Sequence, residues 1–184
     1  MAITEKGWEL LLTRIAEQCH AKTGRRRSIG TYQVYHHGEA QKGLSGWTAE
    51  AKGPGANRPE GNGLRIEAGR YPLATWGGQR YLTWDYSESD NPRHGPKPGL
   101  ELAKTDERVE ILVHPGLNFL SSIGCINLCH ALPTAATRIK YADSRARVIA
   151  IIEDLKDFSP SRFPSTNGKL IPSAYVVVQG EPEF

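Results

Sequence analysis

Over the first twenty positions the apolar residues Trp8, Leu11, Leu12, Ile15, Ala16 and Cys19 recur at helical spacing, with Thr4 suited to an N-cap and Gly24 to a stop. The spacing predicts an amphipathic helix within residues 1–24, with Cys19 on its buried face behaving as a small hydrophobe. Past the basic run that ends at Arg27 the pattern changes. "SIGTYQVYHH", "LSGWTAEAK", "LRIEAGRYPLATW", "QRYLTWDY", "VEILVHP" and "AYVVVQ" carry β-branched and aromatic residues, and turns rich in Gly, Pro and Asn separate them, so they read as strands. "PTAATRIKYADSRARVIAIIEDLKDF" returns to helical spacing at Ala135, Ile139, Ala142, Ala146, Ile149, Ile152 and Leu155, and predicts a helix of roughly five or six turns opening near Pro133. A last strand is expected over residues 169–179. The expectation is a single mainly β (α+β) domain over residues 25–184, with the N-terminal helix attached and the long helix packed on the sheet.

Composition narrows this picture. At 184 residues and 39% hydrophobic, the chain has the core of one soluble domain, and no apolar run approaches the roughly 20 residues of a membrane span. The opening "MAITEKGWELLLTRIAEQCH" has no small-residue cleavage site, so the protein is expected to be made in the cytoplasm without a signal peptide. Net charge is +3, and its one dense cluster, "KTGRRR" from Lys22 to Arg27, reads as a solvated face, so no nucleic-acid partner is expected. Three cysteines argue against a disulfide framework. "GPGANRPEGNG" lacks the Lys-Ser/Thr end of a phosphate loop, which leaves nucleotide binding unsupported.

The candidate chemistry sits in "HPGLNFLSSIGCIN", from His114 to Asn127. Four apolar residues lead into His114, and Pro115 and Gly116 end the strand there. A histidine at a strand end can keep one ring face packed and turn the other to a cleft, as a general base requires. Cys125 follows after a loop long enough to double back, and a thiol needs such a partner because little of it is thiolate at neutral pH. Gly124 admits a close substrate approach, and backbone N–H groups at Gly124 and Cys125 are candidates for an oxyanion hole. A zinc site from His114, Cys125, Cys129 and His130 is the competing reading, weakened by the lack of a second cysteine pair; no metal or organic cofactor is expected.

"SSIGCINL" resembles the Ser-x-Gly-Cys-(Ile/Val)-Arg motif of the L,D-transpeptidase (YkuD-like) catalytic domain, and "ILVHPG" resembles that family's upstream histidine. "LRIEAGRYPLATW" looks like the strand that precedes the pair, so the likeness spans roughly residues 60–130. The resemblance implies a β-sandwich core, with Cys125 as nucleophile, His114 as its base, and Ser122 in the motif serine's place, where it or a backbone carbonyl orients the imidazole. It also implies acyl transfer on peptidoglycan stem peptides through an acyl-enzyme that water or an amine resolves: L,D-transpeptidase, L,D-carboxypeptidase or D-amino-acid exchange. The protein would then act in the periplasm or cell wall after non-classical delivery, as a phage protein or antibacterial effector, with an immunity or secretion-apparatus protein as a possible partner. Two further readings stay open, a non-catalytic cell-wall-binding or phage structural module and a cysteine amidase of murein.

This sequence departs from the motif at Ile123, where the family has histidine, and at Asn127, where it has arginine. The second change removes a bidentate carboxylate anchor. Asn127, Asn118 and the basic loop of Arg93, His94 and Lys97 are therefore the candidate substrate-binding residues. His36 and His37 read as exposed turn residues, and Trp76, Tyr81, Trp84 and Tyr86 as aromatics on the packed face of strands.

Overall fold

The computed structural model describes residues 2–181. Eight strands close a barrel in the order β1 (Trp8–Cys19), β10 (Leu170–Gln179), β4 (Gly69–Thr75), β7 (Leu100–Leu102), β8 (Leu112–Pro115), β9 (Ile126–Cys129), β3 (Glu39–Ala51) and β2 (Arg26–His36). β5 (Tyr81–Leu82) and β6 (Lys97–Pro98) form a separate two-stranded piece, and α1 (Tyr141–Phe158) is the one α-helix among the described residues. β1/β10 and β8/β9 are parallel pairs; the rest of the barrel is antiparallel.

This corrects the expected sandwich with two helices. A period-2 pattern marks a sheet with one buried face, and a sandwich and a barrel both have that, so the pattern does not choose between them. The choice is made by three short strands, β7, β8 and β9, which bridge β4 to β3 and leave the sheet no free edge.

The first segment is not a helical appendage but a full barrel strand. Leu10 pairs with Val34 on β2 and with Val176 on β10, and Trp8, Leu10 and Leu12 alternate into the core. Leu11 and Ile15, which supplied the helical spacing, face outward, Ile15 being 47% exposed. Barrel pairing on both edges overrode a weak local periodicity. Cys19, expected on a buried face, is exposed at the end of β1. β2 and β3 join through His37 and Gly38, both at positive φ, the two-residue turn whose twist suits a hairpin.

The long helix starts at Tyr141, later than the pattern suggested. Residues before it are drawn into loop contacts: Ile139 exchanges backbone hydrogen bonds with Asn118, and Arg27 donates to the carbonyls of Thr134 and Thr137. Ser144, in the first turn, accepts from the Gly116 N–H at 2.7 Å and donates to the Leu128 carbonyl, which pins the helix to the ends of β8 and β9. Val148, Ile151, Ile152 and Leu155 then join the barrel core with Trp8, Leu10, Leu73, Val113 and Ile126.

Candidate active site

His114 and Cys125 line one cleft of about 750 Å³, with Trp76, Tyr81, Arg108 and Ile123 among its walls. The parallel ladder of β8 and β9 brings them there. Val113 pairs with Ile126 and His114 with Asn127, so Cys125, just before β9, falls on the side that carries Asn127 and lies diagonally across the ladder from His114. The loop between them is braced by its own side chains. Ser121 bonds both the N–H and the carbonyl of Leu117, and Asn127 Oδ1 accepts from the Ser121 N–H.

The imidazole is buried, 2% exposed, and Tyr81 tilts over it with ring centroids 4.3 Å apart. Burial lowers the His114 pKa to about 4; its hydrogen bond to the Pro115 carbonyl works the other way, and the Lys97 charge adds to the lowering. At neutral pH the ring is therefore neutral. The Pro115 oxygen, 2.9 Å from Nδ1, can only accept, so the closer of the two Nδ1 contacts puts the proton there and leaves Nε2 a lone pair; the Asn127 amide nitrogen lies farther, at 3.4 Å. That is the tautomer a base needs.

The half-buried Cys125 sulfur accepts the Leu112 N–H at 3.3 Å and donates to the Glu110 carbonyl at 3.5 Å. Burial raises its pKa, the Leu112 N–H and the Arg108 charge oppose the rise, and Glu110 adds to it. The resting thiol is protonated, beside groups that favour its anion.

Arg108 is the feature the sequence did not reveal. Its guanidinium, 4% exposed as a residue, donates to the carbonyls of Ala56, Leu64 and Ile123 and to Asn62 Oδ1. Among the described residues no carboxylate pairs with it, and burial lowers its pKa. A Cβ on Gly124 would lie 1.9 Å from Arg108 Nη2, and that nitrogen is held by its bond to Ile123. Gly124 thus serves the arginine's approach to the thiol. Nothing in the motif points to this: an Arg seventeen places before Cys125 in a polar loop reads as surface charge until Ala56, Asn62 and Leu64 fold over it.

Several expected site residues are placed otherwise. Ser122 does not touch the imidazole; its hydroxyl accepts the Gly124 N–H at 2.9 Å and donates to the Cys125 carbonyl at 2.6 Å, shaping the turn before the nucleophile. The Gly124 N–H is thereby spent and does not serve an oxyanion hole. Asn127 is 0% exposed and donates to the His114 carbonyl at 3.3 Å, so it braces β8 instead of meeting substrate. Gly116 permits this, since a Cβ there would sit 2.8 Å from Asn127 Cβ. Asn118 lines a different hollow, with His20 and Phe119, and Arg93 is exposed outside the cleft. Lys97 sits over Tyr81, 5.8 Å from its ring, and acts on His114 by charge. Trp76 and Tyr81, expected in the core, are cleft walls.

Cys129 is wholly buried on β9 in a second apolar cluster, its thiol pushed up to about 12, first by burial. Among the described residues no group of three or more His, Cys, Asp or Glu is placed to hold a metal ion. Comparison of the chain with protein-family models, with curated proteins and with solved structures returned no match.

Proposed function

We propose that the protein is a cysteine-dependent acyl transferase or peptidase, with peptidoglycan stem peptides as the substrate class that the motif likeness implies. The observation that carries this reading is the meeting of Cys125 and the neutral, Nδ1-protonated His114 in one cleft. In the proposed reaction the thiol turns from its resting bonds at Leu112 and Glu110, and its proton passes to His114 Nε2. The sulfur attacks the acyl carbon, the C–N bond breaks, and the departing amine takes the proton back from the imidazole. Water or a second amine then resolves the thioester by the reverse proton path. Arg108 and the Leu112 N–H favour the sulfur while it carries charge.

Purified peptidoglycan incubated with wild type, Cys125→Ala and His114→Gln, followed by mass spectrometry of the muropeptides, tests the proposal. Wild type is expected to alter the profile and both variants to leave it unchanged. The bond lost identifies transpeptidation, carboxypeptidase action or amidase action. A wild-type profile identical to that of Cys125→Ala overturns the catalytic reading and leaves a wall-binding module.

A further inference from the structure

Behind the loop that carries Ile123 lies a second hollow of about 290 Å³, lined by Arg25, Arg26, Lys52, Leu120, Ser122 and Ile123 among others. Ser122 and Ile123 line both this hollow and the Cys125 cleft, so one short stretch of backbone is the partition between them. Ile123 is 79% exposed, and with Val109 it is one of two strongly exposed aliphatic side chains on the cleft wall. Apolar groups left in solvent beside a cleft suit contact with a ligand's chain.

The hollow itself is cationic. Arg26 is matched by Glu17 at 2.6 Å. Lys52 makes no ion pair among the described residues, and the Arg25 guanidinium has only the Leu120 carbonyl, at 3.3 Å. Two buried arginines of the barrel differ: Arg14 and Arg65 are answered by Glu50, Glu17 and Glu181. Arg25 and Lys52 thus leave two cations at this hollow that no carboxylate among the described residues answers. Its size fits a carboxylate on a short stem, whereas a polyanion would need a longer track of charge. The "KTGRRR" run, which the chemistry at Cys125 does not use, supplies two of the three cations.

We propose that this hollow is an anion subsite of the cleft, which takes a free carboxylate of the peptide substrate while the peptide crosses Ile123 to place its acyl carbon at Cys125. The proposal rests on the acyl-transfer reading for the identity of the ligand, and it supplies the carboxylate anchor that Asn127 does not. Arg25 and Arg26 present fork-shaped donors suited to a carboxylate, and Lys52 adds a point charge.

Calorimetric titration of the Cys125→Ala protein, which binds without turnover, tests it with two probes: a synthetic stem peptide with free carboxylates and the same peptide with them amidated. The free form is expected to bind roughly tenfold more tightly, the difference narrowing with added salt. Adding Arg25→Ala and Lys52→Ala, both exposed positions, is expected to erase the preference and leave the amidated peptide's affinity unchanged. Equal binding of the two peptides by the parent overturns the proposal. So does a preference that survives the double substitution, failure of the free-carboxylate peptide to bind, or displacement of the peptide by an oligonucleotide of equal charge. A carboxylate preference lost in the double variant, in a protein whose wild type leaves peptidoglycan unchanged, sinks the acyl-transfer chemistry and keeps the anion site. Turnover without any preference does the reverse.

Discussion

Two polar regions of the same barrel solve the problem of buried charge in opposite ways. Arg14, fully buried, forks onto Glu50 through two bonds of 2.9 Å, and Arg65 meets Glu17 at 2.9 Å, with Glu181 reaching both arginines. Burial alone lowers the Arg14 pKa, but the charge and hydrogen bond of Glu50, with the charges of Glu181 and Tyr71, together more than reverse it. In the cleft, Arg108 is held by carbonyls, His114 by a carbonyl, and Cys125 by an N–H and a carbonyl. There burial lowers Arg108 with no carboxylate to oppose it. Carboxylate partners make a charge cluster a fold-locking device, whereas carbonyl partners fix a cation in place and leave its field available to a sulfur or a substrate.

The comparison is most exposed at Glu50. Glu50→Ala leaves the Arg14 guanidinium buried beside an emptied partner and is expected to cost about 3–5 kcal/mol, read as a fall in the urea midpoint at unchanged slope. A cost near that of a surface substitution would show that the cluster is not what locks this part of the barrel. Next in size is a pH effect in the cleft. His114 has an ordinary value of 6.5 and about 4 when folded. Between those values the unfolded chain binds the proton and the folded one does not, so stability is complete above the upper value and falls as pH drops through the window, by about 3 kcal/mol in all. His114→Gln is expected to flatten that slope whatever its cost at neutral pH; an unchanged slope would mean that His114 is not the group kept neutral. Arg108→Gln keeps hydrogen-bonding capacity and removes charge. It is expected to slow iodoacetamide alkylation of Cys125 at mildly alkaline pH by roughly three- to tenfold and leave the exposed Cys19 unchanged, counted by peptide mass spectrometry. A Cys125 rate that does not move would reduce Arg108 to a structural strut.

The candidate pair was legible because both residues are local: His114 ends an apolar run, and a glycine precedes Cys125. Their surroundings were not. Arg108, Tyr81 and the hollow at Arg25 and Lys52 come from loops and strand ends far apart in the chain, and only closure of the barrel brings them to one place. Asn127 shows the same limit from the other side. Aligned with a motif arginine it looked like a substrate contact, yet its role is set by a partner strand, through the His114 carbonyl and the space Gly116 leaves. β1 failed for a different reason. Leu10, Leu11 and Leu12 in a row satisfy both a helical and an alternating template, and pairing to β2 and β10 decides between them. Barrel and sandwich share their periodicity, so closure lay beyond pattern reading.

Glu181 grades the comparison within the charged region, because its side chain is 45% exposed where those of Arg14 and Arg65 are 0%. Burial pushes its carboxyl up, but the Arg65 hydrogen bond and the charges of Arg65 and Arg14 outweigh this and hold it below the ordinary carboxylate range. A carboxylate depressed in the folded state adds stability above its ordinary value of 4.5 and loses it as pH falls through the folded value. Solvent screening discounts the pair, so Glu181→Gln is expected to cost no more than about 1 kcal/mol near neutral pH. The gap between variant and wild-type urea midpoints should narrow in acid, where the wild-type carboxyl is itself protonated. A cost as large as that of Glu50→Ala would mean that connectivity, through the two arginines that Glu181 joins, outweighs burial in setting what each carboxylate contributes.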